Sequence, residues 1–516
     1  MSIDFHLPAT YDADVIVVGA GPAGACTAYH LARCGFDVLM LDSAAFPRDK
    51  VCGDFVGPVA LRELADLGIT TRTDFQATNK VVGASLYLDG KKMVTRNLPS
   101  VEGLPQFGRV IPRTNLDDWI LDAAIAAGAR FQAKTKVTRV ETTDQYAVVE
   151  AATVGSTEGE EPIRLRARLV VGADGSNSKV AKALRGGGRP DTKGRIVAVR
   201  AYYTDVAGPG DRCDMYFSQT SFPGYYWLFP TSATTANLGL GMVMETTPPT
   251  DGHLRTMLLE LVESDPALRA RLAGATMEGR VLGWPLSTYN HRAPLVRDGV
   301  ILVGDAAGLI NPLNGEGIQY ALLSGRWAAE TIIPVLRAGS SPVSATDLRP
   351  YEQRVASELR PEMALATTIV SLIRRRDMNA VWLRALRIIC ARATIDKQYA
   401  DLAGGILAGI TPASTALSRE ILGGTVKQAA RTALTQGART ALRPRTQLRF
   451  MFDEVTETAG AVVANSARDP MASASWASDV AMALFELATQ TLTSQLPLTD
   501  GQLVGTTRDH VVRSTM

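Results

Sequence analysis

The chain has 516 residues, enough for two to four domains at roughly 100–200 residues each, and its 46% hydrophobic and 21% charged content excludes a disordered chain, a collagen-like repeat and a small disulfide scaffold. Lys plus Arg is 54 against 52 Asp plus Glu, a net charge of +2, which argues against a dedicated nucleic-acid binder. The five Cys stand at irregular spacing with no CxxC or Cys/His cluster, so they read as reduced thiols of a cytoplasmic protein and not as zinc ligands.

Residues 1–10 read as a short disordered lead without the basic and apolar regions of a secretory signal. Residues 15–18 are a continuous Val/Ile run, the mark of a strand buried on both faces. A Gly-rich turn and a helix over 23–33 follow, with Gly35 as the stop, and 38–41 is a second buried strand. This is a βαβ unit, so the sheet starts parallel. The segments 196–203, 215–217, 225–229 and 238–243 are short and aromatic or β-branched, with Gly/Pro/Ser turns between them, and read as antiparallel strands. A helical stretch over 252–272 comes next. A buried strand at 300–303 and a helix over 317–336 return to the opening pattern. The expected fold is therefore α/β: a discontinuous, Rossmann-like dinucleotide-binding domain (12–185 and 296–345), an inserted antiparallel-sheet substrate domain (186–295) and an α-helical C-terminal extension (346–516).

In the extension the charge separates. Residues 363–450 carry 14 Lys/Arg against 4 Asp/Glu, and 451–516 carry 3 against 8. Such helices are either solvated faces that pack on each other or a peripheral membrane surface around Arg374, Arg375, Arg376, Arg384, Arg387 and Arg392, because basic helices with apolar faces bind anionic headgroups. No run of about 18 uncharged apolar residues exists, so no spanning helix is expected.

Three segments carry the chemistry. The first, Gly19-Ala20-Gly21-Pro22-Ala23-Gly24, sits between the opening strand and helix. Gly19 permits the tight turn, Gly21 lets a pyrophosphate approach the backbone, and Gly24 lets helix and strand pack closely. The helix N-terminus offers amide donors to phosphate. Asp42 closes the second strand, where an acidic side chain takes ribose hydroxyls. The second is an apolar strand ending in Asp174-Gly175, which alone is also an ordinary turn. In the third, Asp305 stands just past the 300–303 strand, and the loop Gly308 to Gly317 leads into a helix. Such a loop can wrap a polyol chain and present amides to a ring.

These segments, in this order, resemble the flavoprotein monooxygenase superfamily typified by para-hydroxybenzoate hydroxylase. Two further stretches, Arg48-Asp49-Lys50-Val51-Cys52-Gly53-Asp54 and Pro223-Gly224-Tyr225-Tyr226-Trp227-Leu228-Phe229-Pro230, resemble the geranylgeranyl reductase family within it. The resemblance covers about residues 12–375. It implies bound FAD, with Gly19, Gly21, Ala23 and Gly24 at the pyrophosphate, Asp42 at the adenosine ribose, Arg113 near the cofactor, Asp174 supporting it, Asp305 holding the ribitol and Gly315 and Gly317 approaching the isoalloxazine. It also implies that Cys52 lies near the flavin and that Tyr225, Trp227 and Phe229 face a lipophilic small-molecule substrate. The plainer readings are that Cys52 is a small buried residue and that the aromatics only fill core.

No second GxGxxG follows a strand, and Gly186-Gly187-Gly188 reads as a loop. Electrons are therefore expected from NAD(P)H docking transiently or from another external reductant. No Ser-His-Asp, metal or paired-carboxylate constellation is visible. Two reactions fit a terpenoid or isoprenoid substrate: hydride transfer to a prenyl C=C, with Tyr225 or Tyr226 as a candidate proton donor, or oxygen insertion by epoxidation or hydroxylation. The Cys52 and Trp227 segments favour reduction. Halogenation is disfavoured by the missing Trp-x-Trp-x-Ile-Pro pattern. A flavin-binding module without catalysis is the reading from a different class.

Overall fold

The structure, a computed structural model, describes residues 11–156, 161–186, 195–247, 253–339 and 343–411, with a short helical stretch at 471, 473–476 and 478. The 1–10 lead, most of the 186–188 glycine run and the rest of the tail lie outside the described residues.

The chain opens with β1 (Ala13–Val18), α1 (Pro22–Ala32) and β2 (Val38–Leu41). Next come β3 (Phe55–Val56), α2 (Pro58–Asp66), α3 (Thr73–Ala77), β4 (Asn79–Val81) and the hairpin β5 (Gly83–Leu88) and β6 (Lys91–Asn97). Then follow β7 (Gly108–Val110), α4 (Arg113–Ala126), β8 (Arg130–Gln132), β9 (Thr135–Thr142), β10 (Ala147–Thr153), β11 (Ile163–Gly172) and α5 (Lys179–Leu184). The middle holds β12 (Ile196–Thr204), β13 (Arg212–Phe217), β14 (Tyr225–Pro230), β15 (Ala236–Val243), α6 (His253–Ser264), α7 (Pro266–Arg271) and β16 (Thr276–Leu286). The chain then returns through β17 (Val296–Arg297), β18 (Val300–Leu302), α8 (Gly304–Ala307) and α9 (Ile318–Arg337) to the helices α10 (Ala345–Ile373), α11 (Asn379–Ile395) and α12 (Lys397–Leu407).

The first sheet runs β17-β18-β11-β1-β2-β8, with β10 and β9 attached at β11. β1 is central and parallel to both neighbours, Val17 opposite Val171 and Met40. β18 adds in parallel beside β11 although 128 positions separate Gly172 from Val300, so the dinucleotide-binding domain is discontinuous. Strands buried on both faces need continuous apolar runs, and residues 15–18 and 38–41 are fully buried. Two glycines allow α1 to sit close. A Cβ on Gly24 would lie 1.9 Å from the Gly19 carbonyl oxygen, and one on Gly325 of α9 would lie 2.6 Å from the Ala23 carbonyl oxygen.

The second sheet runs β16-β12-β15-β14-β13-β5-β6. The segment 186–295 supplies five of these strands. The other two, β5 and β6, come from inside the expected 12–185 segment, and β5 pairs in parallel with β13. The expected helix over 252–272 is divided at Asp265, whose carboxylate accepts the Ala267 and Leu268 amides and starts α7. Alternation along β14 separates two layers. Tyr226 and Leu228 pack with α6 and α7 residues such as Leu258 and Leu268. Tyr225, Trp227 and Phe229 turn the other way, onto Phe55, Ala198 and Cys213.

The extension is tied to the body. α10 starts at a capping box between Ser344 and Asp347, which satisfies two otherwise orphaned donors. Arg96 of β6 donates to the carbonyls of Ala393 and Thr394 at 2.7 Å each. Beyond α12 the Gly409 carbonyl accepts from Gln319 at 3.2 Å. Several cations of the expected lipid-facing surface have partners within the chain: Arg375 pairs with Asp377, Arg376 donates to the Thr246 and Thr220 carbonyls, Arg392 pairs with Asp396, and Arg387 forms an exposed pair with Asp89. Residues 412–450 of that basic region lie outside the described residues. No helix among the described residues is long and apolar enough to cross a membrane.

Candidate active site

The site begins where β1 ends. Gly19 has φ +100, and a Cβ there would sit 2.4 Å from the Ala173 carbonyl oxygen, so the first and second motifs touch at a point only glycine allows. α1 starts at Gly21 with no side chain capping it, which leaves its first amides for an anion. Asp42 closes the turn from the side, accepting the Ala20 amide at 2.9 Å and the Ala44 amide at 2.8 Å. Ala23 packs: a Cβ on Gly304 would lie 2.8 Å from the Ala23 methyl, and Ala23 is buried.

A charge network lies over this turn. The Arg48 guanidinium is 3.3 Å from where a Gly21 Cβ would be and pairs with Asp117 at 3.1 Å. Asp117 is fully buried and also takes a two-pronged contact from Arg113, both bonds 2.6 Å. Arg113 thus serves by holding Asp117, and Arg48 is the cation at the phosphate turn. Arg48 heads the Arg48–Asp54 stretch, yet nothing in its local sequence announces that Asp117 aims it.

Asp305 follows β18. Burial opposes its charge, but Lys50 at 3.0 Å and the Ser176 hydroxyl at 3.3 Å hold its carboxyl below the usual carboxylate range. Asp174 spends its oxygens on its own loop, accepting from Ser178 and from the Lys179 and Val180 amides at 2.6 and 3.3 Å. It therefore orders the turn that carries Ser176 to Asp305. Gly315 has φ +73 with open space on its Cβ side, and Gly317 lies against Asp305. Glycines at the turns, uncapped helix amides and an anionic carboxylate beside an open loop fit FAD: Gly19, Gly21 and the start of α1 would hold its pyrophosphate, Asp42 its ribose and Asp305 its ribitol.

The face of β14 turned toward this loop is an aromatic ladder. Ring centroids lie 5.9 Å apart for Tyr225 and Trp227 and 6.0 Å for Trp227 and Phe229. The Tyr225 hydroxyl donates to the Asn314 carbonyl at 2.7 Å, tying the ladder to the glycine loop. Trp227 lies flat over β15, where a Cβ on Gly239 would be 2.1 Å from its ring. Its indole N–H donates to Asn237 at 3.0 Å, and the Asn237 amide donates to the Cys52 carbonyl and to Asp54, both at 2.8 Å. Asn237 joins the Cys52 and Trp227 stretches, reaching a partner 185 positions away, and carries no local signal. Cys52, Trp227 and Tyr225 therefore do converge. Burial pushes the Cys52 thiol up, with Arg113 opposing. Cys52 is accordingly a neutral thiol, not a ready nucleophile.

Two carboxyls complete the site, Asp54 fully buried and Glu316 half-buried. Asp54, with φ 62, accepts from Tyr202 at 2.6 Å and from Asn237, while its second oxygen has no partner. Burial pushes it up to about 7, against Tyr202, Asn237, Arg113 and Arg200. Glu316, between Gly315 and Gly317, is also pushed up to about 7 by burial, with help from Glu362. Tyr226 does not reach the site. It lies on the opposite face of β14 and donates to Asp265, so period-2 alternation removes it as a proton donor. A groove of about 900 Å³ along α6, lined by Tyr203, Met257 and Leu261 among others, shares no residue with this site.

A family model described as "FAD binding domain" matches residues 12–344. The chain is 35% identical to the menaquinone reductase of Mycolicibacterium smegmatis over 62% of this chain and 76% of that one. It is 31% identical to a digeranylgeranylglycerophospholipid reductase of Methanopyrus kandleri over 71% of this chain and 92% of the other. The chain belongs to the geranylgeranyl reductase family of FAD-binding flavoproteins. It is an FAD-dependent oxidoreductase of that type. A geranylgeranyl bacteriochlorophyll reductase-like protein from Thermoplasma acidophilum shares the fold, with a TM-score of 0.60 and 23% identity over 80% of this chain and 95% of that one.

Proposed function

We propose that this flavoenzyme reduces C=C bonds in a polyprenyl substrate. The observation that carries the reading is the ladder Tyr225–Trp227–Phe229, an apolar sheet face fastened at Tyr225 to the Asn314–Gly317 loop where the flavin ring would lie. An apolar wall beside a cofactor selects for a long apolar substrate through burial. The relatives support the substrate class, since those named for menaquinone, digeranylgeranylglycerophospholipid and geranylgeranyl diphosphate all act on molecules with a polyprenyl chain.

Bound FAD, once reduced, supplies a hydride, and the protein sets access, orientation and polarity. In the proposed cycle α1 and Arg48 bind the pyrophosphate, Lys50 and Ser176 keep Asp305 ionised toward the ribitol, and the β14 aromatics exclude water from the apolar chain. In this reading the reductant, NAD(P)H or another external donor, docks transiently, in keeping with the single GxGxxG turn that follows a strand in the sequence.

The test is anaerobic. FAD-loaded enzyme reduced with dithionite is mixed with geranylgeraniol or a short menaquinone under argon, then in air, with products read by mass spectrometry. A product two hydrogens heavier under argon supports the reading. A product one oxygen heavier, formed only in air, overturns it in favour of oxygenation.

A further inference from the structure

Saturating a C=C bond needs a proton as well as a hydride, and the geometry narrows where the proton comes from. Tyr226 is on the wrong face of its strand. Tyr225 spends its hydroxyl proton on the Asn314 carbonyl, and burial and Glu316 push its phenol up, which makes it a poor acid. Cys52 is a thiol pushed up by burial. Asp54 is fully occluded at 0% exposure and held by Tyr202 and Asn237, so it cannot touch a substrate. Glu316 differs from each. It stands in the loop between Gly315, open on its Cβ side, and Gly317, which lies against Asp305. It keeps partial exposure. Its carboxyl accepts a single amide, that of Gln319 at 3.3 Å.

We propose that Glu316 is the catalytic acid that protonates the second carbon of the substrate double bond; this rests on the reading that the enzyme reduces prenyl C=C bonds. With the hydride bonded to one carbon, the π pair forms a C–H bond at the other with the Glu316 proton. The Glu316 O–H bond breaks, a carboxylate remains, and solvent returns the proton before the next turnover.

The surroundings favour the protonated form of Glu316 relative to an ordinary carboxyl. The groups that face it are the Gln319 amide and the Tyr320 phenol on α9, the Glu362 carboxyl on α10 and the Tyr225 phenol on β14. None is a cation. Glu362 is itself pushed up by burial, while Tyr320 at 2.7 Å and Asn311 at 3.1 Å donate to it. A general acid works best when its pKa lies near the operating pH, and a buried carboxyl beside a second carboxyl reaches that range without a metal or a cation.

The experiment uses FAD-loaded enzyme. E316Q should keep the wild-type flavin spectrum and its reduction by dithionite. Reoxidation of the reduced enzyme by geranylgeraniol under argon should slow roughly 10²–10⁴-fold, with partial rescue in E316D. In the wild type that step should decline as pH rises through about 7. E362Q, which removes the neighbouring carboxyl, should move the decline to lower pH, whereas D54N should leave its position in place. Independently of turnover, pH-difference infrared spectra should show two protonated-carboxyl contributions titrating near neutrality, one removed by E316Q and the other by D54N. Wild-type reoxidation rate and pH profile in E316Q, or an infrared spectrum unchanged by it, would overturn the assignment. If the wild type reduces no prenyl compound, the functional reading fails on that result alone, and the infrared titration still decides whether Glu316 holds the proton.

Discussion

Asp54→Asn is the sharpest test of the electrostatics around Cys52. In the folded protein Asp54 is fully buried and titrates at about 7 instead of its ordinary 3.8. A group raised in the folded state binds its proton more tightly there than in the unfolded chain, so stability falls as pH rises between the two values. About three pH units at 1.36 kcal/mol each make roughly 4 kcal/mol. Below pH 4 both states are protonated and the contribution vanishes. Asn keeps the shape: its oxygen can accept from Tyr202 and Asn237 as the Asp54 oxygen does, and it carries no charge. Denaturant unfolding of wild type and D54N, followed by tryptophan fluorescence, should therefore coincide near pH 4, diverge up to about pH 7 and level off by pH 8, where D54N is more stable by about 4 kcal/mol. A D54N protein less stable at pH 8 would mean that Arg113 or Arg200 holds an ionised Asp54, and the account of this cluster would be wrong.

Gly24→Ala forces a methyl to within 1.9 Å of the Gly19 carbonyl oxygen, so the purified variant should be colourless or lose FAD on desalting; retention of flavin absorbance at the wild-type ratio counts against the assigned turn. Trp227→Ala should destabilise by ~3–5 kcal/mol, the cost of emptying a large buried aromatic site, and should also shift preference toward a different prenyl chain length. Stability loss with unchanged chain-length preference, measured by thermal unfolding and a substrate series, would make Trp227 core filling alone. Lys50→Met removes the partner that keeps Asp305 ionised. The side chain of Lys50 is 25% exposed, so the loss at pH 7 should fall short of the ~3–5 kcal/mol of a fully buried broken pair. The depressed carboxyl stabilises above its unfolded pKa and loses that effect as pH falls through its folded value, so the gap between K50M and wild type should close at acid pH, which denaturant midpoints at pH 7 and pH 3 will show.

The glycine turn was legible because its chemistry is local. Gly19, Gly21 and Gly24 fall within six residues of a buried strand, and the positive φ of Gly19 and the Gly24–Gly19 approach arise inside that span. The aromatic face was legible for the same reason, since alternation along 225–229 assigns sides without knowing the partner. The hairpin at 83–97 carries a local signal, since Asp89-Gly90 between alternating stretches is a strong turn pair. It joins a distant sheet because β5 pairs with β13, a contact no local pattern reports. Asp117, Asn237 and Glu362 were silent. Each looks like an ordinary helix or strand polar residue, and each gains its role from a partner 51 to 185 positions away.

Asp54 and Glu316 also show why fold and reactivity are legible to different depths. A carboxyl near neutrality requires that most of its hydration be lost and that no cation pair with it directly, because one cationic contact at hydrogen-bond distance would favour its charge. Asp305 demonstrates the alternative a few residues from Glu316: the same burial with Lys50 at 3.0 Å gives a carboxylate. On the proposed reading, Asp305 would offer an anion to the ribitol of bound FAD and Glu316 a proton to the substrate. One cation, placed by a residue 255 positions earlier, sets which carboxyl does which. If the proposed polyprenyl substrate lies along the aromatic face, it would remove further water from Glu316, so occupancy of that face would help Glu316 remain an acid. That links chain-length recognition at Trp227 to proton delivery: a substrate too short to cover the ladder admits water, lowers the Glu316 pKa and should show the pH decline displaced to lower values compared with a full-length chain.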